Sequence, residues 1–299
     1  MSEPQQACER AQAFLSELAE TPPMVPYEPE LLPLLFNATR EQSTATLQDI
    51  ANLVERSQNL AARLLNIANS AYYVLEFKVT SLSRAISVLG LREVRSLVLM
   101  VGMVAAIKGV KLPEKFDSRA LWQHHIKTAI LARHLTAALH AEAAPEKSDP
   151  RNLTAFAPDE AYVAGLLHDL GKVFLASTRP GIWLEIEALR VREGCTFAEA
   201  ENAYWGIDHG LIAAQVLNTW KLPLILTEAI QWHHAPEGRM EASLLSAADT
   251  LAKAGYVPGE LPGEAVLGLL PPGVKGETLA EALKTRMSGE RGGVLASMF

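Results

Sequence analysis

From Ser43 onward, apolar residues recur every three or four positions rather than at every second one. In TLQDIANLVERSQNLAARLLNIANSAY they fall at Leu47, Ile50, Leu53, Val54, Leu60, Leu64, Leu65, Ile67 and Ala68, which predicts at least two amphipathic helices. SLSRAISVLG predicts a third, closed by Gly90 as its C-cap, and LREVRSLVLMVGMVAAIKGV follows as a helix that is nearly all apolar after its first turn. The charge-free run from Ser96 to Ile107 is 12 residues long. That is well short of the ~20 needed to span a bilayer, so it reads as a buried core helix. Asp117 or Ser118 is placed to cap a helix carrying LWQHHIKTAILARHLTAALHAEA, and beyond the polar loop EKSDPRN another helix begins near Pro158. No segment sustains period-two alternation with β-branched residues, so the fold class is all-α.

Proline and glycine punctuate this pattern. Residues 1–20 predict a short helix, which the stretch TPPMVPYEPELLP (21–33) must end, because each proline removes a donor and constrains the residue before it. The organisation expected is an N-terminal extension over 1–24, a domain over 25–250, and a C-terminal segment over 251–299. That last segment is rich in proline and glycine, carries a short helix in TLAEALKTRM, and reads as peripheral.

Composition narrows the classes. With 299 residues, 49% hydrophobic and 20% charged, the chain can bury a core and is not a disordered polymer. A formal charge of -7 disfavours broad attraction to nucleic acid or an anionic membrane. Cys8 and Cys195 are far apart and form no C-x-x-C, so neither a disulfide framework nor a zinc knuckle is expected. The opening MSEPQQACERAQAFL has acids where a secretory signal would be basic, and a cytoplasmic location is the expectation.

The chemistry gathers in one half of the chain. All eight histidines fall between positions 124 and 234, and the ordered set His124, His168-Asp169, His209, His233-His234 and Asp249 is what a divalent first-row metal requires. These seven groups could form two adjacent sites if an aspartate bridges them. His168 and Asp169 lie in the apolar helical text AGLLHDLGKV, where unpartnered polar groups would be costly. Gly171 is expected to end that helix, leaving Lys172 as either a salt-bridge partner or a phosphate contact. Nitrogen and oxygen donors without a thiolate allow Mn, Fe, Co, Ni or Zn. His125, His134 and His140 read as hydrogen-bonded core or surface histidines, and Asp208 as a helix cap. Tyr72, Tyr73 and Phe77 read either as an interaction surface or as packing between lobes.

Six segments in order carry a family resemblance: LLNIANSAYY (64–73), AISVLGLREVRSLVL (85–99), LWQHHIKTAILARHL (121–135), VAGLLHDLGKV (163–173), WGIDHGLIAAQVLNTWKLP (205–223) and AIQWHHAPEG (229–238). Together they resemble an HDOD domain, the HD-related output domain. The resemblance implies a two-lobed helical bundle, with a helical lobe over 25–115 and an HD-phosphohydrolase-like lobe over 116–250. It also implies a role in bacterial signal transduction. In the HD superfamily the metal pattern is a first His, an HD doublet and a late Asp, matched here by His124, His168, Asp169 and Asp249. His209, His233 and His234 match the additional ligands of the HD-GYP subgroup, in which Asp169 would correspond to the bridging carboxylate. After the His pair the chain reads HHAPEGRMEASLL, without the acidic and Gly-Tyr-Pro motifs, so cyclic di-GMP hydrolysis is not supported. Ser57-Gln58 stands where the family commonly has Asp-Pro and touches no ligand.

Two functional classes follow. In the first the chain is a signalling module that binds one or two divalent metals and engages a signalling partner, a nucleotide or another phosphorylated small ligand. In the second it is a metal-dependent phosphohydrolase, with Lys172 neutralising phosphate oxygens.

Overall fold

The computed structural model describes residues 3–21, 31–40, 43–70, 73, 75, 77–106, 112–142, 154 and 156–288. In chain order its helices are α1 (Glu3–Glu20), α2 (Leu31–Ala38), α3 (Leu47–Glu55), α4 (Gln58–Ala68), α5 (Leu82–Leu89), α6 (Leu91–Ala106), α7 (Ser118–Glu142) and α8 (Pro158–Leu167). They continue as α9 (Leu170–Thr178), α10 (Pro180–Glu193), α11 (Phe197–Trp205), α12 (His209–Thr219), α13 (Leu224–Gln231), α14 (Met240–Lys253), α15 (Glu264–Leu267) and α16 (Gly276–Met287). No strand occurs among the described residues, as the three- and four-residue spacing requires.

Local chemistry sets the helix boundaries. Thr46 and Asp49 form a reciprocal capping box at the start of α3. Ser57 caps α4 by accepting from the Leu60 amide at 3.3 Å, which gives this departure from the family pattern a structural use. Gly90 ends α5 at φ 80°, and Asp117 caps α7 by accepting from the Ala120 amide at 2.9 Å, both as the sequence predicts. Asp208 caps α12 through the Leu211 amide at 3.1 Å and is a cap, as expected.

Helices α2 to α6 pack on one another around Phe36, Ile50, Leu60, Leu64 and Ile86, all fully or almost fully buried. The second lobe is built on α7, which packs along both α8 and α14, with α9, α12 and α13 completing its core around Leu167, Phe174, Ile212, Leu217 and Ile230. Helix α16 seals one flank of α7 by burying Leu279 and Leu283. Helix α1 lies on α11 and α12, where Phe14 stacks on Trp205 at 5.4 Å and Glu17 pairs with Arg179.

The lobes meet through paired charges. Arg95 of α6, buried to 4%, donates to the Thr39 hydroxyl at 3.0 Å and to the Thr39 carbonyl, and stands 3.9 Å from Asp159 in the first turn of α8. Arg40 pairs with Glu160, whose other carboxylate oxygen accepts from the Ala157 amide at 3.1 Å. Of the aromatics proposed for this region, Tyr73 packs against the core, Phe77 is 78% exposed, and Tyr72 lies outside the described residues.

Candidate metal centre

Close backbone approaches create the centre. At Gly165 of α8 a Cβ would fall 2.6 Å from the Ala129 Cα of α7, so only glycine allows this crossing, which carries His124 to within 3.2 Å of His168, Nε2 to Nε2. At Gly171 a Cβ would fall 2.0 Å from the His209 carbonyl oxygen, so the start of α9 and the start of α12 touch through backbone. This corrects the expectation that Gly171 ends a helix. The break comes earlier, at His168-Asp169 between α8 and α9, and Gly171 lies inside α9 because packing, rather than helix termination, requires it.

All seven predicted ligands come together. His124 comes from α7, His168 and Asp169 from the α8–α9 turn, His209 from the first residue of α12, His233 and His234 from the turn after α13, and Asp249 from α14. They form two sets, Asp169, His209, His233 and His234 in one and His124, His168 and Asp249 in the other, with the donor atoms of each set within 4.8 Å of one another. Asp169 faces both. Its Oδ1 is 2.8 Å from His209 Nε2 and 3.5 Å from His168 Nε2, and its Oδ2 is 3.6 Å from His124 Nε2. His124 Nε2 is 3.0 Å from Asp249 Oδ1, and the Nε2 atoms of His209 and His234 are 2.8 Å apart.

Hydrogen bonds behind the rings decide which nitrogen faces the centre. His168 Nδ1 faces the Gly165 carbonyl at 2.8 Å and His233 Nδ1 faces the Ile230 carbonyl at 2.6 Å. A carbonyl only accepts, so both Nδ1 atoms carry protons, and Nε2 is the nitrogen each ring turns to the centre. His209 is held the same way by Glu201, a fully buried residue of α11 whose Oε2 lies 2.5 Å from Nδ1 and also accepts from the His209 amide at 3.0 Å. A carboxylate behind a ligand histidine fixes its tautomer and raises its basicity.

The fit of these residues to a metal shows in their unmet hydrogen bonding. Asp169 Oδ1, Asp249 Oδ1 and His233 Nε2 are buried without a hydrogen-bond partner, although they crowd other nitrogens and oxygens. Buried polar atoms in that state are rare, and three in one cluster suit a divalent cation. The charges are arranged accordingly. Burial alone would raise the Asp169 carboxyl, but Lys172, His168 and His209 outweigh it and hold Asp169 well below the usual range. Asp249 is lowered likewise, against burial, chiefly by the neighbouring His124 and His168. His233 is pushed down to about 3 by burial and then by His168 and His209, and His234 is lowered by burial and His233. Burial also opposes a charge on His209, yet Glu201 and Asp169 raise it to about 9, while Glu201 is itself raised by burial.

Four of the seven, His124, Asp169, His209 and His234, line a cavity of about 480 Å³ that is also lined by Phe116, Trp183, Phe197, Lys172 and Lys253. Lys172 Nζ pairs with Asp169 Oδ2 at 2.6 Å, so in this state it is the salt-bridge partner, placed on the cavity wall. His125 is in the core as predicted, but neither ring nitrogen has a hydrogen-bond partner. Its ring instead packs edge-on against Trp122 at 5.3 Å and beside His168 at 5.4 Å, and burial holds it neutral. Neither His134 nor His140 belongs to either donor set.

Comparison with known proteins agrees with this architecture. An HDOD protein of unknown function from Geobacter sulfurreducens superposes with a TM-score of 0.67 at 22% identity, covering 99% of both chains. A provisionally named phosphohydrolase from Shewanella amazonensis SB2B gives a TM-score of 0.67 at 24% identity, covering 94% of this chain and 95% of that one. A provisionally named signal transduction protein from Marinobacter aquaeolei VT8 gives 0.73 at 23% identity, covering 99% of this chain and 66% of that one. Among curated sequences, an uncharacterized protein of Treponema pallidum (strain Nichols) is 27% identical over 202 residues. Those residues are 66% of this chain and 36% of the relative, so the chain spans about a third of that protein's length. The HDOD family model matches residues 26–236, from the described α2 through the His233-His234 pair, and the chain belongs to the HDOD domain family.

Proposed function

We propose that this chain is a signal-transduction HDOD module whose HD-like lobe holds one or two divalent metal ions and binds a phosphorylated small molecule over them. The observation that carries the reading is the set of buried donor atoms without partners, Asp169 Oδ1, Asp249 Oδ1 and His233 Nε2, beside a 480 Å³ cavity whose cationic lining includes Lys172 and Lys253. His124, His168 and Asp249 would hold one ion and Asp169, His209, His233 and His234 the other, with Asp169 facing both sets. The donors suit Mn, Fe, Co, Ni or Zn. Bound there, such ions would supply Lewis-acid polarisation of a phosphoryl oxygen and a water of lowered pKa. Lys172 and Lys253 bring positive charge to the cavity wall, and the 480 Å³ volume suits a small ligand rather than a polymer.

The regulatory part of the reading rests on α8. Its first turn is held by the N-terminal lobe through Arg95 and Arg40, while its far end leads directly into His168 and Asp169. Occupancy of the centre and the angle between the lobes are thereby joined by one short helix, a suitable means of reporting a ligand to a protein partner. The signal-transduction name of the Marinobacter relative accords with this reading. No helix of the described residues is long and apolar enough to cross a membrane, and action in the bacterial cytoplasm is proposed.

A second reading, hydrolysis of the bound phosphoester, is favoured by Asp169, which belongs to one donor set and faces the other. Elemental analysis of protein purified without chelator or His-tag, beside the His168→Ala/Asp169→Ala variant, tests the first claim. One or two equivalents of metal lost in the variant support the centre, whereas no metal after reconstitution overturns it. Steady turnover of a phosphoester by the metal-loaded protein, abolished by the folded Asp169→Ala variant, would establish the enzyme reading over the purely regulatory one.

A further inference from the structure

The two aspartates of the centre are used in the same way. Asp169 turns Oδ1 toward His209 and His168 and gives Oδ2 to Lys172 at 2.6 Å. Asp249 turns Oδ1 toward His124 and His168, at 3.0 and 3.6 Å, and gives Oδ2 to Lys253 at 2.6 Å. Lys253 is one helical turn from Asp249 on α14, Lys172 is on α9, and both line the 480 Å³ cavity. Each ammonium has three donors, and the aspartate takes one, leaving others for a ligand in the cavity.

Charge balance shows what that ligand must be. Asp169, Asp249 and Glu201 contribute three negative charges and Lys172 and Lys253 two positive ones, while the other charged residues lining the cavity, Lys115 and Arg190 against Asp117 and Glu187, cancel. One divalent cation makes the sum +1 and two make it +3, so a loaded centre attracts an anion. One metal and two lysines offer at least three cationic contacts. A phosphomonoester presents three terminal oxygens, and a diester only two.

We propose that Lys253 acts with Lys172 as a cationic pair gripping a terminal phosphate, and that the ligand of the centre is a phosphomonoester rather than a phosphodiester. The inference rests on the metal and phosphoester reading of the same site. It makes Lys253, which lies outside the six segments that carry the family resemblance, a residue that determines specificity.

The test is calorimetric titration of the metal-loaded full chain with phenyl phosphate and with methyl phenyl phosphate, comparing wild type, Lys253→Met, Lys253→Gln and Lys253→Arg, with metal content measured on each. The expected result is tighter binding of the monoester by wild type, a loss of about tenfold or more in monoester affinity in the Met and Gln variants, and retention in the Arg variant. Metal content stays unchanged in all of them. Half of the Lys253 side chain is exposed, so these replacements leave the fold intact. Equal affinity for the two esters overturns the ligand class, and unchanged monoester affinity in Lys253→Met and Lys253→Gln overturns the role of the residue. Metal loss in those variants also overturns that role, because Lys253 would then serve only to hold Asp249. If metal-loaded wild type binds neither ester, the phosphoester reading fails as a whole, which is distinct from failure of the lysine variants alone.

Discussion

Replacing Gly171 with alanine probes whether the centre depends on backbone contact between α9 and α12. The added Cβ would lie 2.0 Å from the His209 carbonyl oxygen, 2.7 Å from its carbonyl carbon and 2.9 Å from its Cα. Ordinary contact begins at 3.4 Å, so the start of α12 must retreat by 3.4 less 2.0, or 1.4 Å. The obstructing atoms are all backbone, and no side-chain rotation relieves them. Overpacking of this kind costs about 1–3 kcal/mol, partly offset by the roughly 1 kcal/mol advantage of alanine over glycine in a helix. A net loss of up to about 2 kcal/mol is expected, read as a lower urea midpoint of the metal-free protein. The effect on the centre is larger, because the same shift separates His209 from Asp169, now 2.8 Å apart. A metal site tolerates ligand distances only within about ±0.2 Å, far less than this shift. Metal content after reconstitution should therefore fall even where the protein remains folded. Gly181→Ala is the control, since a Cβ there would meet no atom within 4 Å and its stability should be unchanged or slightly raised. A Gly171→Ala protein with wild-type midpoint and wild-type metal content would show that the centre does not depend on this contact.

Two further expectations concern Glu201 and His209. Glu201→Ala should weaken metal affinity by about 10- to 100-fold in a chelator competition, and Glu201→Gln, which keeps an acceptor for the His209 Nδ1 proton, should weaken it less; equal affinity in all three proteins would show that the buried carboxylate does not serve the centre. In metal-free protein the His209 value of about 9 stands above the 6.5 of a free histidine, against the pull of burial and through the Glu201 carboxylate. Its contribution is therefore complete below pH 6.5 and lost as pH rises toward 9, on the order of 3 kcal/mol at most. His233, lowered to about 3 by burial and its histidine neighbours, has the opposite sign and removes stability as pH falls below 6.5. Urea midpoints across pH 5–9 should thus peak between the two limbs, and Glu201→Gln should flatten the alkaline limb; an unchanged alkaline slope in that variant would exclude the pair as its source.

The histidine and aspartate cluster was legible because its residues contradict their surroundings. His168-Asp169 interrupts apolar helical text, and such a doublet has no packing use without partners. Glu201 was not legible. It lies in AEAENAYW, where Glu199 caps the helix through Thr196 and Glu201 reads as another solvated acid, yet α1 and α10 pack against this helix and Glu201 is fully buried. A usable signal is its place eight residues before His209, close enough in the chain to reach back behind a ligand. Gly171 misled for a related reason. Glycine after an apolar run is commonly a helix end, and a tertiary contact with a residue 38 positions later cannot be read from local text. Lys253 carries no sequence signal either, since an Asp-Lys pair one turn apart is common on exposed helices.

The position of α1 has a consequence for how this protein is cut or joined. The family match begins at residue 26, but Phe14 of α1 covers Trp205, and Glu17 holds Arg179. A fragment trimmed to the family boundary would uncover that tryptophan on the helix that supplies Glu201. A module fused ahead of residue 3 would be joined through α1 to α11 and α12, the helices that supply Glu201 and His209. In this fold the helix that opens the sequence packs on the lobe that the later part of the chain builds.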